Sequence, residues 1–255
     1  MKEITLDSIR DIRLYQSRNG YRFSVDSLLL YSFVNVQRAK RIADLGAGSG
    51  IVGLLLSKKY PDAHVSLFEL QDRLATLAKK NITLNSLEGR VTVIEADLRE
   101  LRPSGNVPGM DCFDIAVSNP PFRKPKTGLI SPEEERAIAR HEIRLKLPEL
   151  IRTVQHLLCA KGRFFLIYHP ERLTELAGSL KERGIEVKRL RFVHSHVWSV
   201  AKMVLVEAIK GGKGGVTVER PLYIYNEHGG HSEEMIQIYG GMDGKPYRLE
   251  SKEQV

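Results

Sequence analysis

Asn119-Pro120-Pro121-Phe122 follows the apolar run Phe113, Ile115, Ala116 and Val117, which reads as a buried strand. So stiff a segment at a strand exit holds two acceptors still, the Asn119 side-chain oxygen and the Pro120 carbonyl. Both can receive hydrogens from one planar NH2 group, and Phe122 offers a face for the ring that carries it. The set suits chemistry at an amino nitrogen conjugated to a planar system, such as adenine. An aromatic NH2 is a poor nucleophile because its lone pair is delocalised into the ring. Two acceptors on one side favour pyramidalisation and expose that lone pair. Proximity and preorganised dipoles then supply the rate, and neither a metal nor a general base is required.

A second constellation lies upstream. Asp44-Leu45-Gly46-Ala47-Gly48-Ser49-Gly50 ends one apolar run and opens a helix-period segment. Its glycines permit a tight turn and a close backbone approach by a ligand. The dinucleotide fingerprint would need glycine at position 51, where Ile51 stands, so a carboxylate or amino acid moiety suits the turn better than a pyrophosphate. Glu69 comes about 20 residues after Gly50, the spacing at which an acid binds ribose hydroxyls. Asp97 follows the next apolar run and could accept from an adenine amino group, with Leu70 and Leu98 among the apolar neighbours of the ring. Glu69 could equally be a solvent-facing strand end, and Asp97 a cap for the next turn.

Cationic residues cluster beside the first motif. Arg123, Lys124 and Lys126 follow it directly, and Ser131-Pro132-Glu133-Glu134 opens a helix with a capping box. On that helix Arg136, Arg140 and Arg144 form one stripe. Like charges at this spacing cost a few tenths of a kcal/mol per pair, which a phosphate backbone could offset. The alternative is a solvated face balanced by Glu133 and Glu142. His194 and His196 could share a strand face, but no third ligand is near, so no metal site is expected. Trp198, Tyr223 and Tyr225 are expected to pack.

The elements that must hold these groups alternate. Residues 42–45, 65–70, 91–96, 113–117 and 164–168 read as strands, with helix-period segments between them that include residues 147–158 and 173–180. Continuous apolar strands alternating with helices imply a mostly parallel α/β sheet covered on both faces. Two later runs, 185–193 and 200–209, have no helix between them and should pair antiparallel at an edge. Residues 1–40 read as an N-terminal extension with Asp26 a candidate helix N-cap, 41–210 as the main domain, and 211–255 as a tail beyond a flexible glycine-rich joint. Within that tail, a short strand is expected in residues 222–225 and a short helix ending before Gly240.

The chain has 255 residues, 42% hydrophobic and 27% charged, with a net charge of +8. An anionic partner is plausible on that charge, although the charge alone does not choose nucleic acid. Two cysteines without ligand spacing are expected as free thiols. With no signal-peptide pattern and no apolar run near ~18 residues, the expected setting is the cytoplasm and not a membrane.

In order and spacing, the glycine-rich turn, Glu69 and Asp97 resemble the S-adenosyl-L-methionine site of class I methyltransferases. Asn119 to Phe122 resembles the amino-methyltransferase signature. Together with residues 21–30, 220–225 and 238–240, the chain resembles the bacterial tRNA(Val) adenine-N6 methyltransferase family over nearly its whole length. The resemblance implies a doubly wound, mostly parallel, Rossmann-like seven-stranded sheet with an antiparallel edge hairpin. It also implies S-adenosyl-L-methionine as cofactor, S-adenosyl-L-homocysteine as product and an RNA substrate, tRNA foremost. The N-terminal segment of such proteins closes over the donor, which brings in Arg22, Phe23 and Asp26. Many relatives carry tyrosine where this chain has Phe122. An rRNA guanine-N2 methyltransferase, a release-factor glutamine-N5 methyltransferase and a non-catalytic donor-binding RNA module are the alternatives; a nicotinamide oxidoreductase fits worst, given Ile51. Oligomeric state is not legible.

Overall fold

The computed structural model describes residues 4–17, 24–101, 112–120 and 146–240. It opens on a hairpin that the sequence expectation lacked, in which β1 (Ile4–Ile9) and β2 (Ile12–Ser17) pair antiparallel with Ile9 opposite Ile12. Helix α1 (Val25–Phe33) buries Leu28, Leu29, Leu30 and Phe33. Its N-cap is Ser24, not Asp26 as expected. Asp26 stands instead in the first turn, where a carboxylate still meets the positive end of the helix dipole.

The expected alternation follows as β3 (Arg41–Leu45), α2 (Ile51–Lys59), β4 (His64–Glu69), α3 (Asp72–Leu84), β5 (Val91–Glu95) and β6 (Phe113–Ser118). Beyond it come α4 (Leu147–Leu157), β7 (Leu158–Tyr168), α5 (Leu173–Glu182), β8 (Ile185–His194) and β9 (Ala201–Lys210). The long strands run in the order β8-β9-β7-β6-β3-β4-β5. All are parallel except β9, which pairs antiparallel with both neighbours. Two further strands, β10 (Thr217–Val218) and β11 (Leu222–Tyr223), lie parallel along β8, so among the described residues the sheet has the seven expected long strands and these two short ones. β11 falls within the short strand expected at residues 222–225, whereas β10, at two residues, is too short to carry a periodicity. The tail helix α6 (Glu233–Tyr239) ends on Gly240 in the left-handed region, as its sequence suggested.

Strand alternation divides the core between two faces. Ile115, Val117 and Phe165 join α1 and α2 on one side, while Ala116, Phe164 and Leu166 join α4 and α5 on the other. Phe164 and Phe165 are both fully buried, each worth roughly 1.5–3 kcal/mol in burial. The glycine-rich segment after β9, expected as a flexible joint, is tied down: the Lys188 ammonium donates to the carbonyls of Lys213 and Gly215 at 3.1 and 2.7 Å.

Two further expectations are corrected. Cys112 and Cys159 are not free thiols but form a disulfide between the entry to β6 and the start of β7. Spacing could not reveal this, because the pairing depends on two strands meeting. Trp198 does not pack in the core; it is 68% exposed on the turn between β8 and β9.

Candidate active site

The sheet reverses its order about β3, whose chain continues outward through β4 and β5 before returning to β6 on the other side. A crevice forms outside the carboxyl ends at such a point. The turn after β3 lies there. Gly46, Gly48 and Gly50 have φ of 75°, 58° and 92°, a region in which a Cβ is strained. The N–H groups of Gly46 and Ala47 both donate to the Phe68 carbonyl, at 2.9 and 3.0 Å, which ties the turn to the end of β4.

Glu69 closes β4 and is buried. Its two carboxylate oxygens accept from the Gly48 and Gln71 N–H groups, each at 2.8 Å. The acid expected for a ribose therefore also braces the turn. Asp44 is buried and accepts from the Gly53 N–H at 2.8 Å. Burial pushes its carboxyl up to about 7; the Gly53 N–H offsets part of that, and the nearby Glu69 charge adds to it. The Ser49 hydroxyl in the same turn is buried without a hydrogen-bond partner among the described residues, an atom that a polar ligand group would satisfy.

Gly53 was missed in the sequence. A Cβ there would sit 2.2 Å from Leu67 Cδ2 and 3.2 Å from Asp44 Oδ2, so the first turn of α2 can approach β4 only without a side chain. The available signal was a glycine inside a helix, which otherwise costs about 1 kcal/mol. Asn81 was missed too. It is fully buried on α3 and donates to the Ser49 and Tyr15 carbonyls at 2.9 and 3.1 Å. Its side-chain oxygen accepts from the Tyr15 N–H at 2.7 Å. One amide thus joins the N-terminal hairpin to the glycine turn.

Asp97, beyond β5, is gripped by Arg99, whose Nε lies 3.0 Å from each carboxylate oxygen. Leu98 is buried and Leu70 exposed. Asn119 stands at the exit of β6, beside β3. The preceding Ser118 hydroxyl donates to the Leu45 carbonyl at 2.8 Å, locking the two strand ends together. Asn119 Nδ2 donates to the buried Ser27 hydroxyl of α1 at 3.1 Å. This bond uses one of the two amide hydrogens and anchors the Asn119 side chain to α1. Pro120 follows directly. Pro121, Phe122, Arg22, Phe23 and the cations Arg123, Lys124, Lys126, Arg136, Arg140 and Arg144 lie outside the described residues.

A turn rich in backbone N–H groups, two buried acids and a polar residue across the crevice suit a cationic donor that bears an amino acid and a nucleoside. The family model described as methyltransferase small domain matches residues 21–169. The chain is 26% identical over 230 residues to a tRNA1(Val) (adenine(37)-N6)-methyltransferase of Bacteroides thetaiotaomicron, covering 89% of this chain and 86% of that protein. It is 31% identical to one from Porphyromonas gingivalis, covering 66% and 67%. Among solved structures, a predicted O-methyltransferase from Agrobacterium tumefaciens superposes with a TM-score of 0.65 at 26% identity, over 84% of this chain and 95% of that one. P. horikoshii TYW2 in complex with MeSAdo shares the fold, with a TM-score of 0.57 at 16% identity over 83% and 73%. By the match over residues 21–169, with the switch-point crevice and its glycine turn in place, this chain belongs to the methyltransferase small domain family and is an S-adenosyl-L-methionine-dependent methyltransferase.

Proposed function

We propose that the chain methylates the exocyclic N6 of an adenine in the anticodon loop of a tRNA, tRNA(Val) being the first candidate. The observation that carries this reading is Asn119 at the end of β6, its side chain anchored by a hydrogen bond from Nδ2 to Ser27. Relatives named for adenine-N6 methylation of tRNA support the choice of substrate.

Asn119 Oδ1 and the Pro120 carbonyl take the two amine hydrogens, and Phe122 stacks on the base. S-adenosyl-L-methionine supplies a methyl group on a sulfonium, held by the glycine turn, Glu69 and Asp97. Once bound, it would give up the methyl to the amine, the N–C bond forming as the S–C bond breaks with its electrons staying on sulfur, and S-adenosyl-L-homocysteine would be the product. The extra proton on nitrogen passes to water. Stacking on one ring is worth ~1–3 kcal/mol, close to the cost of extruding a paired base, so an unpaired loop base is the better target. Arg123, Lys124, Lys126 and the Arg136, Arg140 and Arg144 stripe would meet phosphates. Residues 1–40 would cover the donor and residues 41–210 form the catalytic domain, with 211–255 as the tail. The setting is the cytoplasm, where reduction would return Cys112 and Cys159 to thiols.

The test is to incubate the protein with labelled S-adenosyl-L-methionine and unmodified total tRNA, digest the RNA, and identify the methylated nucleoside by mass spectrometry. N6-methyladenosine is expected. Label in guanosine, in protein or nowhere would overturn the reading.

A further inference from the structure

The turn from β8 to β9 carries an exposed apolar tip. Trp198 is 68% exposed, Val197 55% and Val200 75%. The indole lies face to face with His196, with centroids 4.9 Å apart and planes 3° apart. Behind His196 the rings continue through Tyr225, His231 and Tyr239, with successive centroids 5.2, 5.3 and 5.1 Å apart. The Nδ1 atoms of His196 and His231 are buried without a hydrogen-bond partner among the described residues; Trp198–His196 and Tyr225–His231 are stacked, while His196–Tyr225 and His231–Tyr239 meet at a tilt. The outer end of this ladder is the face of Trp198 turned away from His196. Leaving an aromatic surface in water is unfavourable, and clustered exposure of this kind marks a contact site.

Position and charge say what covers it. β8 runs parallel to β7, and β7 to β6, so the turn after His194 lies at the same sheet edge as Asn119. Three strand spacings separate β8 from β6 in the order β8-β9-β7-β6, roughly 14 Å, a span that a few nucleotides of single strand can bridge. Residues 194–202 contain Lys202 and two histidines but no acid, in a chain of net charge +8. An anionic polymer that carries flat rings matches both the ladder and the charge. A second copy of the chain, equally cationic, matches only the ladder.

We propose that Trp198, backed by His196 and Tyr225, is a stacking platform for an unpaired base of the substrate RNA, at a nucleotide other than the one held at Asn119. This deepens the RNA-methyltransferase reading and rests on it. The platform fixes the path of the strand across the carboxyl edge, so that the target amine arrives with its neighbours already placed.

Trp198 is the only tryptophan in the chain, so indole emission reports the contact directly. The full chain, saturated with S-adenosyl-L-homocysteine, is titrated with an unmodified tRNA(Val) transcript while indole fluorescence and RNA anisotropy are followed together. The expected result is quenching on binding, about ten-fold weaker binding by Trp198→Ala, and recovery of most of the affinity in Trp198→Phe. An unquenched indole with equal RNA affinity in Trp198→Ala overturns the platform and leaves RNA methylation standing. A wild-type chain that neither binds nor methylates tRNA overturns the functional reading, and the platform falls with it. A wild-type dimer that Trp198→Ala converts to monomer, with RNA affinity unchanged, overturns the RNA assignment in favour of a second copy.

Discussion

Asn119 Nδ2 lies 3.1 Å from the hydroxyl of Ser27, a residue 92 positions earlier in the chain. The bond runs from the exit of β6 to the buried first turns of α1, so the N-terminal segment sets which way the Asn119 amide faces. In the proposed reaction this is a positioning contact. There it would restrain the amide from rotating to offer its NH2 to the substrate amine in place of its oxygen.

Removing that anchor should lower turnover moderately, whereas removing the acceptor should nearly abolish it. Ser27→Ala is expected to reduce kcat about 3- to 10-fold, the scale of one lost hydrogen bond. Asn119→Ala is expected to reduce it at least ~100-fold. Both should leave donor affinity near wild type in calorimetry, and an equal loss of donor binding and turnover in Asn119→Ala would count against its role.

Glu69 is expected to act on donor binding, not on chemistry. Glu69→Ala deletes the proposed ribose acceptor and frees the Gly48 and Gln71 N–H groups that its carboxylate accepts from. Donor affinity should fall at least ~10-fold, because a hydrogen bond to a charged acceptor is worth roughly 1.5–3 kcal/mol and the glycine turn loses its brace. Calorimetry with S-adenosyl-L-homocysteine checks this, and unaltered binding would reassign the acid.

Asp44 should make stability depend on pH. Its carboxyl is raised from 3.8 to about 7 by burial above all, so the folded chain holds this proton more tightly than the unfolded chain does. The stabilisation is whole below about pH 4, declines as pH rises, and is gone once pH passes about 7. Its full size is on the order of 4 kcal/mol. Asp44→Asn keeps an acceptor for the Gly53 N–H and carries no charge, so it should remove that slope. Urea unfolding of both proteins from pH 4 to 8 measures the difference; parallel curves would refute the assignment.

Gly53→Ala sets two effects against each other. Alanine gains about 1 kcal/mol in helix propensity, but its methyl would meet Leu67 Cδ2 at 2.2 Å. Overpacking a filled core costs about 1–3 kcal/mol, so net destabilisation is expected, along with a lower thermal midpoint by calorimetry. A stabilised variant would mean that α2 can move off β4.

Much of the frame was legible because local pattern and tertiary role coincide. The apolar runs that became β3, β4 and β6 are buried along most of their length and so read as near-continuous hydrophobic stretches, whereas β5, at the sheet edge, buries only Val91. The three positive-φ glycines sit where a strand must turn into a helix. Asn119 was legible because its proline neighbours stiffen the strand exit. The hairpin of β1 and β2 went unseen because its buried residues mix with charged ones over only six positions per strand.

By itself, the sequence determined the α/β alternation, the glycine turn with its two following acids, and the acceptor motif after the fourth strand of that alternation. Each of these is a property of a few neighbouring residues, whose backbone preferences and periodicity act locally. Only the tertiary structure decided that Ser27 orients Asn119, that Asn81 joins the hairpin to the glycine turn, that Cys112 meets Cys159, and that Trp198 faces outward on its ladder. Those relations link residues that become neighbours only when the sheet orders its strands and helices dock on it, and the distance between them along the chain carries no record of that meeting.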